Sequence, residues 1–118
     1  VTTPEIAAIA ATLAARDAAA RLRASERTNT RLAKLGSATV KLARRGARHV
    51  WLFGSLARGD AREDSDVDLA VEGLPAAEYF AALAELMELF EGRVDLVRLE
   101  EAGDSLKACV REEGRPLP

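Results

Sequence analysis

Hydrophobic and polar positions along this chain change period several times, and each change marks an element. From Pro4 to about residue 27 the apolar positions Ile6, Ile9 and Leu13 recur at helical spacing, with alanine and Arg16, Arg21, Arg23 and Arg27 between them. Thr3 as N-cap and Pro4 in the first turn suit a helix start. The apolar stripe is thin, so such a helix needs a surface to pack on, its own domain or a second copy. Thr28-Asn29-Thr30 offers a break, though one continuous helix fits as well. A second stripe, Leu32, Leu35, Thr39 and Leu42, ends near Gly46, with Gly36-Ser37 weakening it. The period then shortens. His49 to Phe53 reads as a strand, and so does Asp66 to Val71. Pro75 to Glu91 returns to helical spacing with Tyr79, Phe80, Leu83, Leu86, Met87 and Phe90 as a broad core-facing stripe, closed by Gly92. Arg93 to Leu99 is a third strand, and Ala102 to Glu113 a last helix with Leu106, Cys109 and Val110 on one face. Gly114 stops it, and Arg115 to Pro118 can add at most a frayed edge strand.

Alternating strands and helices predict an α/β fold: a small mixed sheet of three to four strands covered by helices. Residues 1–30 form an Ala/Arg-rich helical extension and residues 31–118 the domain. The 118 residues allow one modest core, and with 4% aromatic residues that core must be mostly Leu, Val and Ala. Charge is uneven: residues 1–58 carry 11 Lys+Arg against 3 Asp+Glu, and residues 59–118 carry 6 against 16. Either the first half meets an anionic partner or it is a solvated Arg-rich helix facing the domain's own acids; the second is the simpler reading. No run is apolar and long enough to span a bilayer, no signal peptide is evident, and the lone Cys109 excludes an internal disulfide framework. The cytoplasm is the default location.

The polar residues inside the strands carry the chemistry. Side chains alternate across a strand, so Asp66 and Asp68 share one face while Val67, Leu69 and Val71 take the other. Asp is disfavoured in strands, and the third strand holds one more, Asp95. With these two strands side by side, three carboxylates converge and repel. A divalent cation relieves that cost, and an all-oxygen set selects Mg²⁺ or Mn²⁺. Gly54-Ser55 follows the first strand. Its glycine lets backbone approach a ligand, and Ser55 adds a hydroxyl beside a helical turn whose free N–H groups suit an anion. A phosphate-holding turn facing a metal-holding acidic cluster is the layout for phosphoryl or nucleotidyl transfer.

The segments GSLARGD and SDVDLAV, the ten residues between Gly54-Ser55 and Asp66-Val67-Asp68, Ser65 before the first aspartate, and Val94-Asp95-Leu96-Val97 together resemble the DNA polymerase β-type nucleotidyltransferase superfamily, in its minimal nucleotidyltransferase (MNT) branch. The resemblance spans about residues 31–114. It implies that Gly54 and Ser55 hold the triphosphate of an NTP, most often ATP. Asp66 and Asp68 would ligate two Mg²⁺ ions, and Asp95 would share one and help deprotonate the acceptor hydroxyl. Attack on the α-phosphate would release pyrophosphate and leave NMP on the acceptor. MNT proteins are commonly antitoxins of HEPN-domain RNase toxins, and some add AMP to a toxin tyrosine. The chain carries no second domain for a large nucleic-acid substrate, which speaks against polymerase or tRNA-tailing activity.

Arg58 is assigned to nucleotide binding or to bracing the loop through Asp60 or Asp64, with bracing favoured. Arg62 and Lys107 are weaker candidates for phosphate contacts. His49 is expected at a strand edge, Trp51, Phe53 and Tyr79 in the core, and Cys109 as an inert core thiol. Three functions are open: AMP transfer to a HEPN toxin, small-molecule nucleotidylation as in aminoglycoside-modifying relatives, and a non-catalytic binding module. The first is preferred. A homodimer through the N-terminal helix is a further expectation.

Overall fold

The computed structural model describes residues 4–62 and 65–118. Thr3, and with it the expected N-cap, lies outside the described residues, as do Glu63 and Asp64. The first helix, α1, runs unbroken from Pro4 to Ala33. Alanine and arginine are strong helix formers, and Thr30 turns its hydroxyl back to the Glu26 carbonyl (2.9 Å) instead of capping a new helix. The break falls at Lys34, after which α2 spans Leu35–Arg44. Gly36 and Ser37 are absorbed into α2, whose Leu35, Ala38, Thr39 and Leu42 are buried. Leu32, expected in that stripe, is exposed on α1.

Strand β1 (His49–Phe53) leads directly into a short helix, α3 (Gly54–Arg58), and the chain returns as β2 (Val67–Glu72). Asp66 therefore precedes its strand by one residue. Helix α4 is shorter than expected, Tyr79–Leu89, because Pro75 is extended and Ala76–Glu78 form a 3₁₀ turn. Strand β3 (Val94–Arg98), helix α5 (Asp104–Glu113) and strand β4 (Arg115–Leu117) complete the chain. The sheet order is β3-β2-β1-β4, with β2 and β3 parallel and the other pairs antiparallel. The terminal segment is thus a paired edge strand, with Leu117 opposite Val50 and Arg115 opposite Leu52.

One sheet face is dry. Val50, Leu52, Val67, Leu69, Val71 and Leu96 pack under α2 and α4 with Leu42, Ala82 and Leu86. Arg45 at the end of α2 ties it to the neighbouring α4 and the turn before it through Glu85 and Glu78, both at 2.8 Å. The stripe on α4 is narrower than its spacing predicted: Phe80 is 78% exposed and Met87 44%. The other face carries Trp51, Phe53, Ala70 and Val97 and is covered only in part, by Leu106 and Val110 of α5. Phe53 is buried under that cover, while Asp95 on β3 and Asp66 just before β2 stay exposed.

Most of α1 has no such cover. Ile6, Ile9 and Leu13 are exposed, and the molecule extends 65 Å along its long axis against 28 and 21 Å across. Only the last turns meet the domain: Arg31 is buried and donates to the Arg62 carbonyl, and Lys34 donates to the Leu89 carbonyl at 3.0 Å.

Candidate active site

The end of β1 brings Gly54 against Asp68, which lies beside Asp95. Gly54 is buried with φ +73°, a conformation that favours glycine. A Cβ placed there would come within 2.1 Å of the Asp68 Oδ2, so the carboxylate lies directly against the glycine. Phe53 pairs with Asp68 in the antiparallel ladder, and Asp68 pairs with Asp95 in the parallel one. The alternation of strand side chains puts Asp68 and Asp95 on the same face as Phe53 and Ala70. Ser55, half-buried, is the second residue of α3, and its carbonyl accepts from Gly59 (3.0 Å) and Asp60 (3.1 Å), closing the turn. The first N–H groups of a helix have no intrahelical acceptor, so this turn presents donors.

The electrostatics agree with convergence. The Asp68 carboxyl is pushed above its ordinary value of 3.8 by burial first, then by the charges of Asp95 and Asp66, with Arg58 opposing. Asp66 and Asp95 are exposed and Asp68 is half-buried. Among the described residues no three His, Cys, Asp or Glu side chains stand close enough to hold a metal ion as they are. The donor set nonetheless fits a hard divalent cation: it is all carboxylate, it repels itself, and it borders a turn of backbone donors.

Arg58 does what bracing requires. Its guanidinium meets Asp60 (3.3 Å) and reaches Glu113 of α5 (3.5 Å). The alternative brace, Asp64, lies outside the described residues. Glu113 was not singled out by sequence; only the packing of α5 beside α3 brings it there. Cys109 is half-buried, with its sulfur 3.6 Å from Glu113 Oε2 and its pKa raised, chiefly by burial. It flanks the Arg58 brace and is not a core thiol.

Phe53 is buried and His49 exposed, as expected. Tyr79 is half-buried, donating its hydroxyl to the Leu96 carbonyl at 2.7 Å. Trp51 departs from expectation: it is half-buried and walls a cavity together with Lys107. Arg62 lines a different cleft, beside α1, with Arg21, Arg27 and Arg93.

A glycine-serine turn thus lies against paired aspartates on a small mixed sheet. The polymerase beta nucleotidyltransferase family matches residues 41–117, and the chain belongs to it. The protein adenylyltransferase MntA of Thermococcus cleftensis is 49% identical over 71 residues, covering 58% of this chain and 72% of the relative. A solved structure described as a minimal nucleotidyltransferase superposes with a TM-score of 0.68 at 35% identity, over 76% of this chain and 95% of that one. A toxin–antitoxin structure with AMP-PNP superposes with a TM-score of 0.58 at 28% identity, over 68% of this chain and 69% of that one. Among the described residues no helix is long and apolar enough to cross a membrane.

Proposed function

We propose that this nucleotidyltransferase moves AMP from ATP to a protein hydroxyl, a tyrosine of a HEPN-domain toxin, and so acts as an antitoxin. The supporting observation is the register that sets Asp68 beside Asp95 on one sheet face, against the Gly54-Ser55 turn. The 49% identity to a protein adenylyltransferase and the likeness to a toxin–antitoxin structure with AMP-PNP support the nucleotide and the kind of partner.

In this reading the turn at Gly54 and Ser55 holds the triphosphate through backbone N–H groups and the serine hydroxyl. Asp66, Asp68 and Asp95 are the residues that would hold Mg²⁺, with Mn²⁺ as a substitute. When bound, the cation offsets phosphate charge and steadies the leaving pyrophosphate. Asp95, the more exposed of the strand pair, takes the acceptor's proton. The hydroxyl oxygen then bonds to the α-phosphorus as the bond to pyrophosphate breaks, and AMP stays on the acceptor. Arg58 fixes the turn through Asp60 and Glu113. Residues 1–30 serve assembly, with α1 joining two copies.

The test is Mg²⁺-dependent AMP incorporation into a co-expressed toxin partner, read by intact mass. Asp66→Asn and Asp68→Asn should each lower it by about a hundredfold or more, the scale on which removing a transition-state electrostatic partner acts. Unchanged incorporation in both variants overturns the assignment.

A further inference from the structure

At the far end of the same sheet face, between α5 and the sheet, lies a cavity of about 410 Å³. Trp51 forms one wall, and Leu99 and the buried Val110 complete an apolar lining. Arg48, Lys107 and Arg111 also line it, and none of the three has an ion pair or a side-chain hydrogen bond among the described residues. Lys107 and Arg111 are one turn apart on α5, so they point to the same side. Two carboxylates share the rim. Glu100 accepts from the Gly73 N–H at 2.6 Å and also interacts with the charge of Arg48. Glu72 has no such bond among the described residues and is left as an acceptor on the strand next to Trp51.

We propose that this cavity binds a nucleoside monophosphate, its base stacked on Trp51, its phosphate among Arg48, Lys107 and Arg111, and Glu72 accepting from its amino or hydroxyl groups. Each part answers a physical need. An aromatic wall recognises any planar base by stacking, worth about 1–3 kcal/mol per base in nucleic-acid sites. Arg48, Lys107 and Arg111 outnumber the cavity's two carboxylates, Glu72 and Glu100, and cationic donors to phosphate are the stronger hydrogen bonds. The volume lies within the range of small-ligand pockets, about 300–1,000 Å³.

The cavity is separate from the carboxylate site. Glu72 lies four residues beyond Asp68 on β2, about 13 Å at a strand rise of about 3.3 Å per residue. A nucleotide whose phosphates lie at Gly54 and Ser55 leaves these cations unused. The pocket's chemistry stands whether or not the catalytic reading holds.

Trp51 is the chain's one tryptophan, so its fluorescence reports this cavity directly. The full chain is titrated with AMP in EDTA, which removes any metal-dependent binding at the carboxylates. The expected result is a saturable quench. Lys107→Ala combined with Arg111→Ala weakens it by about tenfold or more, and adenosine, which lacks the phosphate, binds weaker than AMP by a similar factor. Asp66→Asn combined with Asp68→Asn leaves the curve in place. Circular dichroism checks that each variant is folded. A quench that does not saturate overturns the proposal. So does one indifferent to the Lys107 and Arg111 changes, or one lost with the two aspartates.

Discussion

Asp68 carries a conflict that a single substitution can expose. Burial and two neighbouring carboxylates raise its pKa, so the folded chain holds that proton more tightly than the unfolded chain does. By linkage, its ionisation costs stability above the raised pKa, and that cost vanishes below the ordinary value of 3.8, where both states are protonated. Asp68→Asn should therefore raise the melting temperature of the metal-free protein at pH 7, and the gain should fade as pH drops towards 4. Thermal melts of both proteins in EDTA across that range check it; an equal gain at every pH would point to packing instead. Gly54 carries the opposite lesson. Gly54→Ala meets a left-handed φ that costs an L-residue about 1–2 kcal/mol, and its methyl group would displace the Asp68 carboxylate. Lower stability together with about a hundredfold loss of AMP transfer is expected, since a shift of about 1 Å in a positioned group has that effect. Melting and incorporation assays on one preparation measure both.

At the scale of elements, the edge strand β4 does more than its three residues suggest. It covers the outer side of β1, the strand that feeds the Gly54 turn. Deleting residues 115–118 should lower the melting temperature by several degrees and promote association through the bared strand edge, seen as light scattering on heating. Unaltered melting and scattering would show β4 to be ornamental. Element by element, the sequence was legible where period and chemistry coincide. The strand cores and their sequence along the chain are read from period, and Asp68 and Asp95 stand out as aspartates placed where strands disfavour them. Three features were not legible. The run-on of α1 past Thr28 is decided by helix propensity against a weak cap. The exposure of Phe80 depends on which side of α4 the sheet covers, and helical spacing alone does not tell that. Glu113 reaches Arg58 only because α5 folds back over that sheet face, a long-range fact that no local pattern records.

For the molecule as a whole, shape and charge separate into two parts. A basic, mostly uncovered helix stands out from an acidic domain. Ile6, Ile9 and Leu13 lie at positions that a second copy of α1 would bury side by side, with alanines allowing close approach. Self-association through α1 should appear as a concentration-dependent rise in sedimentation coefficient, abolished by Ile9→Asp with Leu13→Asp. The same variant should melt at nearly the wild-type temperature if measured as a monomer, since these side chains are exposed in a single copy. A wild-type chain that sediments as a monomer at all concentrations removes the dimer from the proposal.

The pairing of Asp68 with Asp95 has a consequence for how the chain is made. Strand side chains repeat every two residues, so sliding β3 by a single residue would turn Asp95 under α4, among Leu69 and Leu86, and turn Leu96 out to water. A lone carboxylate in that dry layer is unaffordable. A newly synthesised chain that misaligns these strands thus fails to fold rather than folding into a silent copy. Correct folding and assembly of the aspartate pair become one event, and a cell that clears unfolded protein clears the miswired molecules with it.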